Sequence, residues 1–167
     1  MSELQESTNF GLTPPDVLAS MSGIDFLRKM FSGELPHATM MQKVGFTRGS
    51  AEPGFVVFQA QPGPEHYNPI GSVHGGFAAT LLDSAMGCAV QSMLPAGSGY
   101  TTLEFKVSLI KAITADTGEV RAEGRTLNVG RRVGTAEGRL LDSKGRLLAH
   151  ATTTCLVFEF PAAIRGT

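Results

Sequence analysis

The segment from residue 67 to residue 90, YNPIGSVHGGFAATLLDSAMGCAV, carries one carboxylate, Asp83, within a long apolar stretch. If this segment is helical, none of the residues one turn away from Asp83 is a cation that could pair with it. A carboxylate isolated in this way could act on a substrate carbonyl through acid–base chemistry. The plainer alternative is a solvent-facing strip that Asp83 shares with Thr80, Ser84, Gln91 and Ser92.

A histidine and two glycines, His74, Gly75 and Gly76, open the same helix. Backbone N–H groups at a helix N-terminus stabilise developing negative charge, and glycine lets a substrate carbonyl approach closely. Together these properties are typical of an oxyanion hole. The alternatives are that the glycines permit a tight chain entry and that His74 is a helix cap.

Asp83 lies eight residues beyond Gly75, which is about 12 Å of helix rise. One chain therefore cannot easily bring both groups to the same carbonyl. We expect the site to form between two antiparallel copies of this helix in a homodimer, one supplying the N–H and the other the carboxylate.

The spacing of apolar residues predicts the other helices and strands. Asp16 is predicted to cap a short amphipathic helix that ends at Gly33, and residues 39–62 are predicted to form two strands joined by RGSAEPG. Apolar residues from Phe77 to Met93 recur at helical spacing over a face wide enough for a buried helix. From residue 101 the pattern has period two, with Leu103, Phe105, Val107 and Leu109 alternating with polar residues. Three further strands are predicted over residues 118–129, 132–142 and 146–160, the last two joined by a turn at DSKG.

This order predicts an α+β domain in which an antiparallel sheet of about six strands wraps one long helix, with an additional N-terminal helix. The predicted boundaries are a flexible arm over residues 1–15 and a single domain over residues 16–167.

Composition narrows the functional classes. The formal net charge of −1 and the scattered basic residues disfavour nucleic acid as a partner. The polar start and the lack of an 18-residue apolar run predict a cytoplasmic protein without a membrane partner. Cys88 and Cys155 are expected to be buried free thiols, and no residue spacing suited to a zinc site or a nucleotide-binding loop is found.

The motif residues resemble the hotdog-fold acyl-CoA thioesterases of the phenylacetate-catabolism type, which are related to 4-hydroxybenzoyl-CoA thioesterase. That family has an Asn, then G-x-x-H-G-G, then an acid nine residues after the His. Here the pattern is Asn68, Gly71, the HGG run from His74, and Asp83. The resemblance covers residues 36–160 and implies a hotdog fold.

The resemblance also implies roles for these residues in thioester hydrolysis. The Gly75 N–H would polarise the thioester carbonyl, with Gly76 beside it, and Asn68 and His74 would orient the thioester or a water. Asp83 of the facing subunit would be general base or nucleophile. Thr102 is the expected hydroxyl that helps place the water, with Thr101 as the other possible register.

At the CoA end, Gly130, Arg131 and Arg132 are suited to phosphate contacts, although a solvated hairpin end would explain the arginines equally well. The implied partners are an acyl-CoA substrate and further copies of the chain, as a dimer or dimer of dimers, and no separate cofactor is implied. The alternatives are a hotdog dehydratase or hydratase and a noncatalytic acyl-CoA-binding protein. The walls of the acyl pocket are expected from Phe77, Leu81, Met86 and the strand around Phe105, a mix that suits aromatic and medium-chain acyl groups alike.

Overall fold

The computed structural model describes residues 9–164, which contain four α-helices and six strands. The helices are α1 (Pro15–Ala19), α2 (Gly23–Phe31), α3 (Thr39–Lys43) and α4 (Gly75–Gln91). The strands are β1 (Phe46–Glu52), β2 (Phe55–Ala60), β3 (Ser98–Leu109), β4 (Val120–Val129), β5 (Val133–Leu141) and β6 (Leu147–Glu159). Short 3₁₀ turns cover Pro64–His66 and Ala115–Thr117. No helix in the described part of the chain is long and apolar enough to cross a membrane.

The central helix α4 is 17 residues long and is apolar on most of its surface. Its buried residues recur on every turn and include Phe77, Ala78, Leu81, Leu82, Ala85, Met86, Gly87, Ala89 and Val90. A helix that is apolar around most of its circumference must be covered on several sides, and this one is enclosed by the sheet. The predicted buried helix is confirmed, except that Met93 lies beyond its end and is 49% exposed.

The sheet has the strand order β1-β2-β4-β5-β6-β3, and every neighbouring pair is antiparallel. Helix α4 packs across β4, β5, β3, β2 and β6, so the core lies between one face of the sheet and this helix. Gly124 of β4 touches the Ala85 carbonyl of α4 so closely that a Cβ there would collide with the helix backbone. The predicted α+β architecture of a helix wrapped by six antiparallel strands is confirmed.

The first predicted helix is instead two helices. Asp16 lies inside α1, after Pro14 at the cap position, and the chain breaks before α2, where the Ser22 hydroxyl accepts from the Asp25 N–H at 3.3 Å. The break brings the backbone of Gly23 against the end of α4, where its N–H donates to the Leu94 carbonyl at 3.0 Å.

The first hairpin also differs from its prediction. Residues 48–52 belong to strand β1, and the turn is only Pro53 and Gly54, the latter with φ 75°. The segment from Thr39 to Lys43, predicted as strand, forms α3. Pairing of all of β1 with β2 extends the ladder to the turn and so overrides the turn-forming composition of RGSAE.

The chain before α1 is anchored at His37. The His37 N–H donates to the Asn9 carbonyl at 2.8 Å, and the His37 carbonyl accepts from the Gly11 N–H at 2.9 Å. The His37 side chain is 1% exposed and lies against the rings of Phe10, Phe31 and Phe46. Residues 1–8 of the predicted arm lie outside the described residues, so the flexibility of residues 1–15 stays a prediction.

Strand β3 does not alternate regularly as predicted. Its pairing with β6 shifts between Thr102, opposite Cys155, and Glu104, opposite Thr154, so Leu103 is an extra residue in a β-bulge. After the bulge, odd-numbered residues of β3 lie on the face that even-numbered residues occupy before it. As a result Thr102 reaches α4 from the same face of β3 as Leu109, although the two residues are seven positions apart.

Candidate active site

The N-terminus of α4 presents one uncommitted backbone donor. His74 is the N-cap, and its Nδ1 accepts from the Gly76 N–H at 2.9 Å. The Gly75 N–H, at the first helical position, has no hydrogen-bond acceptor among residues 9–164. Of the two glycine donors predicted for an oxyanion hole, Gly75 is therefore available and Gly76 is occupied by the cap.

Both glycines are also packed too closely for a side chain to fit without movement. A Cβ on Gly75 would lie 2.8 Å from Leu109 Cδ1, and one on Gly76 would lie 2.9 Å from His74 Nδ1. In each case the obstacle is a side-chain atom rather than backbone. Leu109, at the end of β3, thus covers the backbone of Gly75, and no sequence pattern indicates this contact.

The cap fixes the orientation of the His74 ring. Because Nδ1 is an acceptor, the neutral ring carries its proton on Nε2 and presents it as a donor. His74 is exposed, and its backbone N–H donates to the His66 carbonyl at 2.8 Å. His74 is therefore a helix cap, as in the alternative given above. Capping uses only Nδ1, so Nε2 can still donate to a bound group.

Asn68 organises the loop that leads to His74. Its Oδ1 accepts from the N–H groups of Ile70 and Ser72, and its Nδ2 donates to the Ser72 hydroxyl at 3.0 Å. Gly71, with φ 83°, completes the tight turn between them. The side chain of Asn68 therefore holds the loop in shape while one edge of it lines a cavity beside Gly75.

Asp83 lies on the α4 surface that faces β3. The Thr102 hydroxyl donates to Asp83 Oδ1 at 2.9 Å, and both side chains are partly buried. Thr101, the alternative in the sequence, is exposed and opposite Leu156. The structure thus brings Asp83 together with Thr102 and not with Thr101.

The groups around Asp83 stay neutral. Burial raises the pKa of the Cys88 thiol to about 12, and burial also raises the pKa of the Tyr100 phenol well above its ordinary value. Gly87, one turn after Asp83, leaves the space that the Tyr100 ring occupies against α4. The Cys88 thiol is therefore a poor nucleophile at neutral pH.

Two cavities flank His74. The first, of about 230 Å³, is lined by the start of α4 and the end of β3 and its following loop: Asn68, Ser72, Val73, His74, Gly75, Ala78, Leu109, Ile110, Lys111, Ala112 and Ile113. The second, of about 290 Å³, lies between α3 and α4, with Met40, Val44, Tyr67 and Phe77 among its walls. Lys111 of the first cavity was not among the sequence-predicted residues.

Two of the predicted pocket walls are wrong. Leu81 and Met86 are completely buried in the core, because the face of α4 that carries them packs against the sheet. Phe77 does line the second cavity, and Phe105 is 40% exposed on β3.

Gly130, Arg131 and Arg132 form the exposed turn between β4 and β5. Gly134, two residues beyond, touches Val90 near the C-terminal end of α4. The arginines therefore lie toward the Asp83 half of the helix and away from Gly75. Within one chain the structure does not bring Gly75, Asp83 and the arginines to one point.

Known proteins match this chain over its central region. Residues 70–149 match the family model described as the thioesterase superfamily. A protein of Halobacterium salinarum that is provisionally named an esterase is 41% identical over 69 residues. That match covers 40% of this chain and 44% of the relative, so it spans less than half of either protein.

Solved structures match over a larger share. A Ralstonia eutropha protein, provisionally described as a thioesterase and as phenylacetic acid degradation-related, is 28% identical. Its TM-score is 0.70, over 78% of this chain and 98% of that one. A thioesterase family protein from Silicibacter pomeroyi shares the fold, with 22% identity and a TM-score of 0.72 over 83% of this chain and 100% of that chain.

Proposed function

We propose that this hotdog-fold chain, whose residues 70–149 match the thioesterase superfamily model, hydrolyses an acyl-CoA thioester to free CoA and a carboxylic acid. In this reaction the oxygen of water bonds to the thioester carbon and the carbon–sulfur bond breaks. The proton that the water loses is transferred to the departing thiolate, which gives the free thiol of CoA.

The observation that carries the proposal is the uncommitted Gly75 N–H at the start of α4. Gly75 lines the first cavity. The N-terminal end of the 17-residue helix α4 stabilises negative charge on a group bound in this cavity. An N–H in this position can stabilise the oxyanion that forms when the thioester carbonyl is attacked. His74, which also lines this cavity, is proposed to add its Nε2–H as a second donor, and Asn68 keeps the approach loop in shape.

Asp83 is the proposed catalytic carboxylate. The Thr102 hydroxyl already donates to one carboxylate oxygen, which leaves the other to act. As a general base it would take a proton from water, and as a nucleophile it would form an acyl anhydride that water then cleaves. Thr102 supports either course because it fixes the orientation of the carboxylate.

The proposed active unit is a homodimer in which Gly75 of one protomer faces Asp83 of the other. Two features support this arrangement. The two groups are about 12 Å apart along one helix, and the edge strand β3 and its following residue leave large apolar side chains exposed. These are Leu103, Phe105, Leu109 and Ile110, with exposed fractions of 58%, 40%, 60% and 51%. An apolar edge strand of this kind is suited to pairing with another chain.

The CoA phosphates are proposed to contact Arg131 and Arg132 beside Gly130. Both arginines are exposed in the β4–β5 turn, and their guanidinium groups make no hydrogen bond or ion pair with the described residues. Guanidinium groups bind phosphate through paired hydrogen bonds. The arginines lie toward the end of α4 that carries Asp83. In the proposed dimer, the CoA part of the substrate would extend from the thioester, at the partner's Gly75, toward these arginines.

Release of free thiol from a panel of CoA esters tests the proposed reaction. Purified protein would be given phenylacetyl-CoA, benzoyl-CoA and straight-chain acyl-CoA esters side by side, with Asp83→Asn as the control. Thiol release by the wild type that is lost in the variant supports hydrolysis. Binding of the esters without thiol release would instead identify a noncatalytic acyl-CoA-binding protein and overturn the proposal.

A further inference from the structure

The β-bulge at Leu103 is a requirement of the candidate site. In a regular strand, residues an odd number of positions apart point to opposite faces. Thr102 and Leu109 are seven apart, yet Thr102 donates to Asp83 of α4 and Leu109 covers Gly75 of the same helix. Only the extra residue at Leu103 lets one strand reach both ends of the proposed chemistry.

One side chain on the neighbouring strand holds this bulge. The Thr153 hydroxyl of β6 donates to the Glu104 carbonyl at 2.7 Å, at the residue that follows the bulge. Thr153 is 3% exposed and points to the core side of β6, together with Ala151, Cys155 and Val157. A buried hydroxyl is costly unless it finds a partner, and here its partner is the carbonyl at the irregular point of the ladder.

Thr153 also lies next to the catalytic pair through one intervening residue. Thr102 pairs with the buried Cys155 across the β3–β6 ladder, and Cys155 lies on the same face of β6 as Thr153. Two hydrogen bonds therefore lie on either side of the bulge, one from Thr153 to the Glu104 carbonyl and one from Thr102 to Asp83.

We propose that Thr153 is a positioning residue, whose hydroxyl fixes the β3 bulge and thereby aims Thr102 at Asp83 while Leu109 stays over Gly75. The inference rests on the proposed function, because Thr102 and Asp83 must act on the substrate for their alignment to affect turnover. It adds a residue of β6 that contacts neither the substrate nor Asp83.

The matched variants are Thr153→Val, which keeps the shape and removes the donor, Thr153→Ser, which keeps the donor, and Thr152→Val on the exposed face of the same strand. We expect Thr153→Val to lower kcat by roughly 10- to 100-fold, since a small misplacement of catalytic groups has effects of this size. KM should change by less than about threefold, and Thr153→Ser and Thr152→Val should stay near the wild type. Thr153→Ala provides a second donor-free variant should the valine fail to fold.

A double variant separates positioning from general damage. If Thr153 acts through Thr102, then Thr153→Val should reduce kcat little further once Thr102 is already alanine. A full additional loss in that background, or unchanged kcat in Thr153→Val alone, would overturn the inference.

A crystal structure of Thr153→Val gives a readout that needs no activity. We expect the Thr102 Oγ1 to Asp83 Oδ1 contact to be lost or the β3–β6 register to change at Leu103. A retained bulge with the 2.9 Å hydrogen bond intact would contradict the inference even if the protein hydrolysed no acyl-CoA. Failure of the proposed function would appear separately, as a wild type without thiol release.

Discussion

At the scale of single residues, the Gly75 N–H can be removed without breaking the helix. Proline lacks an N–H but is favoured at the first helical position, and the preceding residue, His74, already has the extended conformation that proline requires (φ −60°, ψ 139°). We therefore expect Gly75→Pro to fold and to lower kcat by about 10²- to 10³-fold, the usual effect of losing one oxyanion donor. Steady-state thiol release, with circular dichroism as a check on folding, would measure it.

Gly75→Ala is the matched control for this substitution. It introduces the same Cβ against Leu109 Cδ1 but keeps the N–H. We expect it to retain most of the activity, because the obstacle is the flexible end of a side chain. Equal losses in the alanine and proline variants would show that space, and not the donor, is what Gly75 provides.

The Asp83–Thr102 pair gives a second prediction at this scale. Asparagine at position 83 can still accept from the Thr102 hydroxyl but carries no charge, so we expect Asp83→Asn to fold normally and to lose about 10²- to 10⁴-fold in kcat. Thr102→Val should lose about 10- to 100-fold, the value of a hydrogen bond to a charged group, and Thr102→Ser should restore most of it. Turnover of Thr102→Val at the wild-type rate would remove Thr102 from the mechanism.

At the scale of elements, the strongly periodic segments could be predicted and the interruptions could not. The apolar residues of α4 recur over four turns, and the strands after it alternate for six residues or more, so hydrophobic periodicity alone defines them. The break before Ser22 depends on where the end of α4 comes to lie against Gly23, which is tertiary information. The local composition of RGSAE favours a turn, but these residues form part of β1 because they pair with β2.

The site shows the same division. The motif spacing identified His74, Gly75 and Asp83 as candidate residues, and the structure places them at the N-cap and within one regular helix. The sequence favoured Thr102 but kept Thr101 as the other possible register, since the face of β3 depends on a bulge that no residue type at Leu103 signals. Lys111 and Leu109 were missed for a similar reason: the fold brings the end of β3 to the start of α4.

The aromatic cluster around His37 predicts a pH dependence of stability. Burial without hydrogen-bond partners for either ring nitrogen lowers the pKa of His37 below its ordinary value of 6.5. As pH falls through 6.5 the unfolded chain takes up a proton that the folded chain does not, so stability is lost until the lower folded pKa is reached. The free energy of unfolding should therefore decrease between pH 7.5 and that lower value.

His37→Phe isolates this contribution. Phenylalanine suits the contacts with the Phe10, Phe31 and Phe46 rings and cannot be protonated. Urea unfolding from pH 7.5 downward should show a smaller loss of stability in the variant, while His66, His74 and His150 contribute equally to both proteins. Parallel pH profiles for the two proteins would mean that His37 is not kept neutral by the fold.

At the scale of the whole molecule, the arginines of the β4–β5 turn predict how the chain recognises the CoA end. We expect Arg131→Ala and Arg132→Ala each to raise KM for an acyl-CoA by about tenfold with little change in kcat, as for the loss of a phosphate contact. An acyl-pantetheine, which lacks the nucleotide phosphates, should not distinguish these variants from the wild type. The exposed Arg139 of β5 provides the matched control variant, Arg139→Ala, and an equal effect there would point to net charge instead.

The central claim is that each active site takes Gly75 from one protomer and Asp83 from another. Gly75→Pro and Asp83→Asn chains co-expressed in equal amounts test it most directly. With random assembly, each site receives an intact Gly75 and an intact Asp83 in about one case in four, in a dimer or a dimer of dimers alike. The mixture should therefore recover about a quarter of wild-type thiol release from two nearly inactive parents. A mixture no more active than its parents would contradict the shared site.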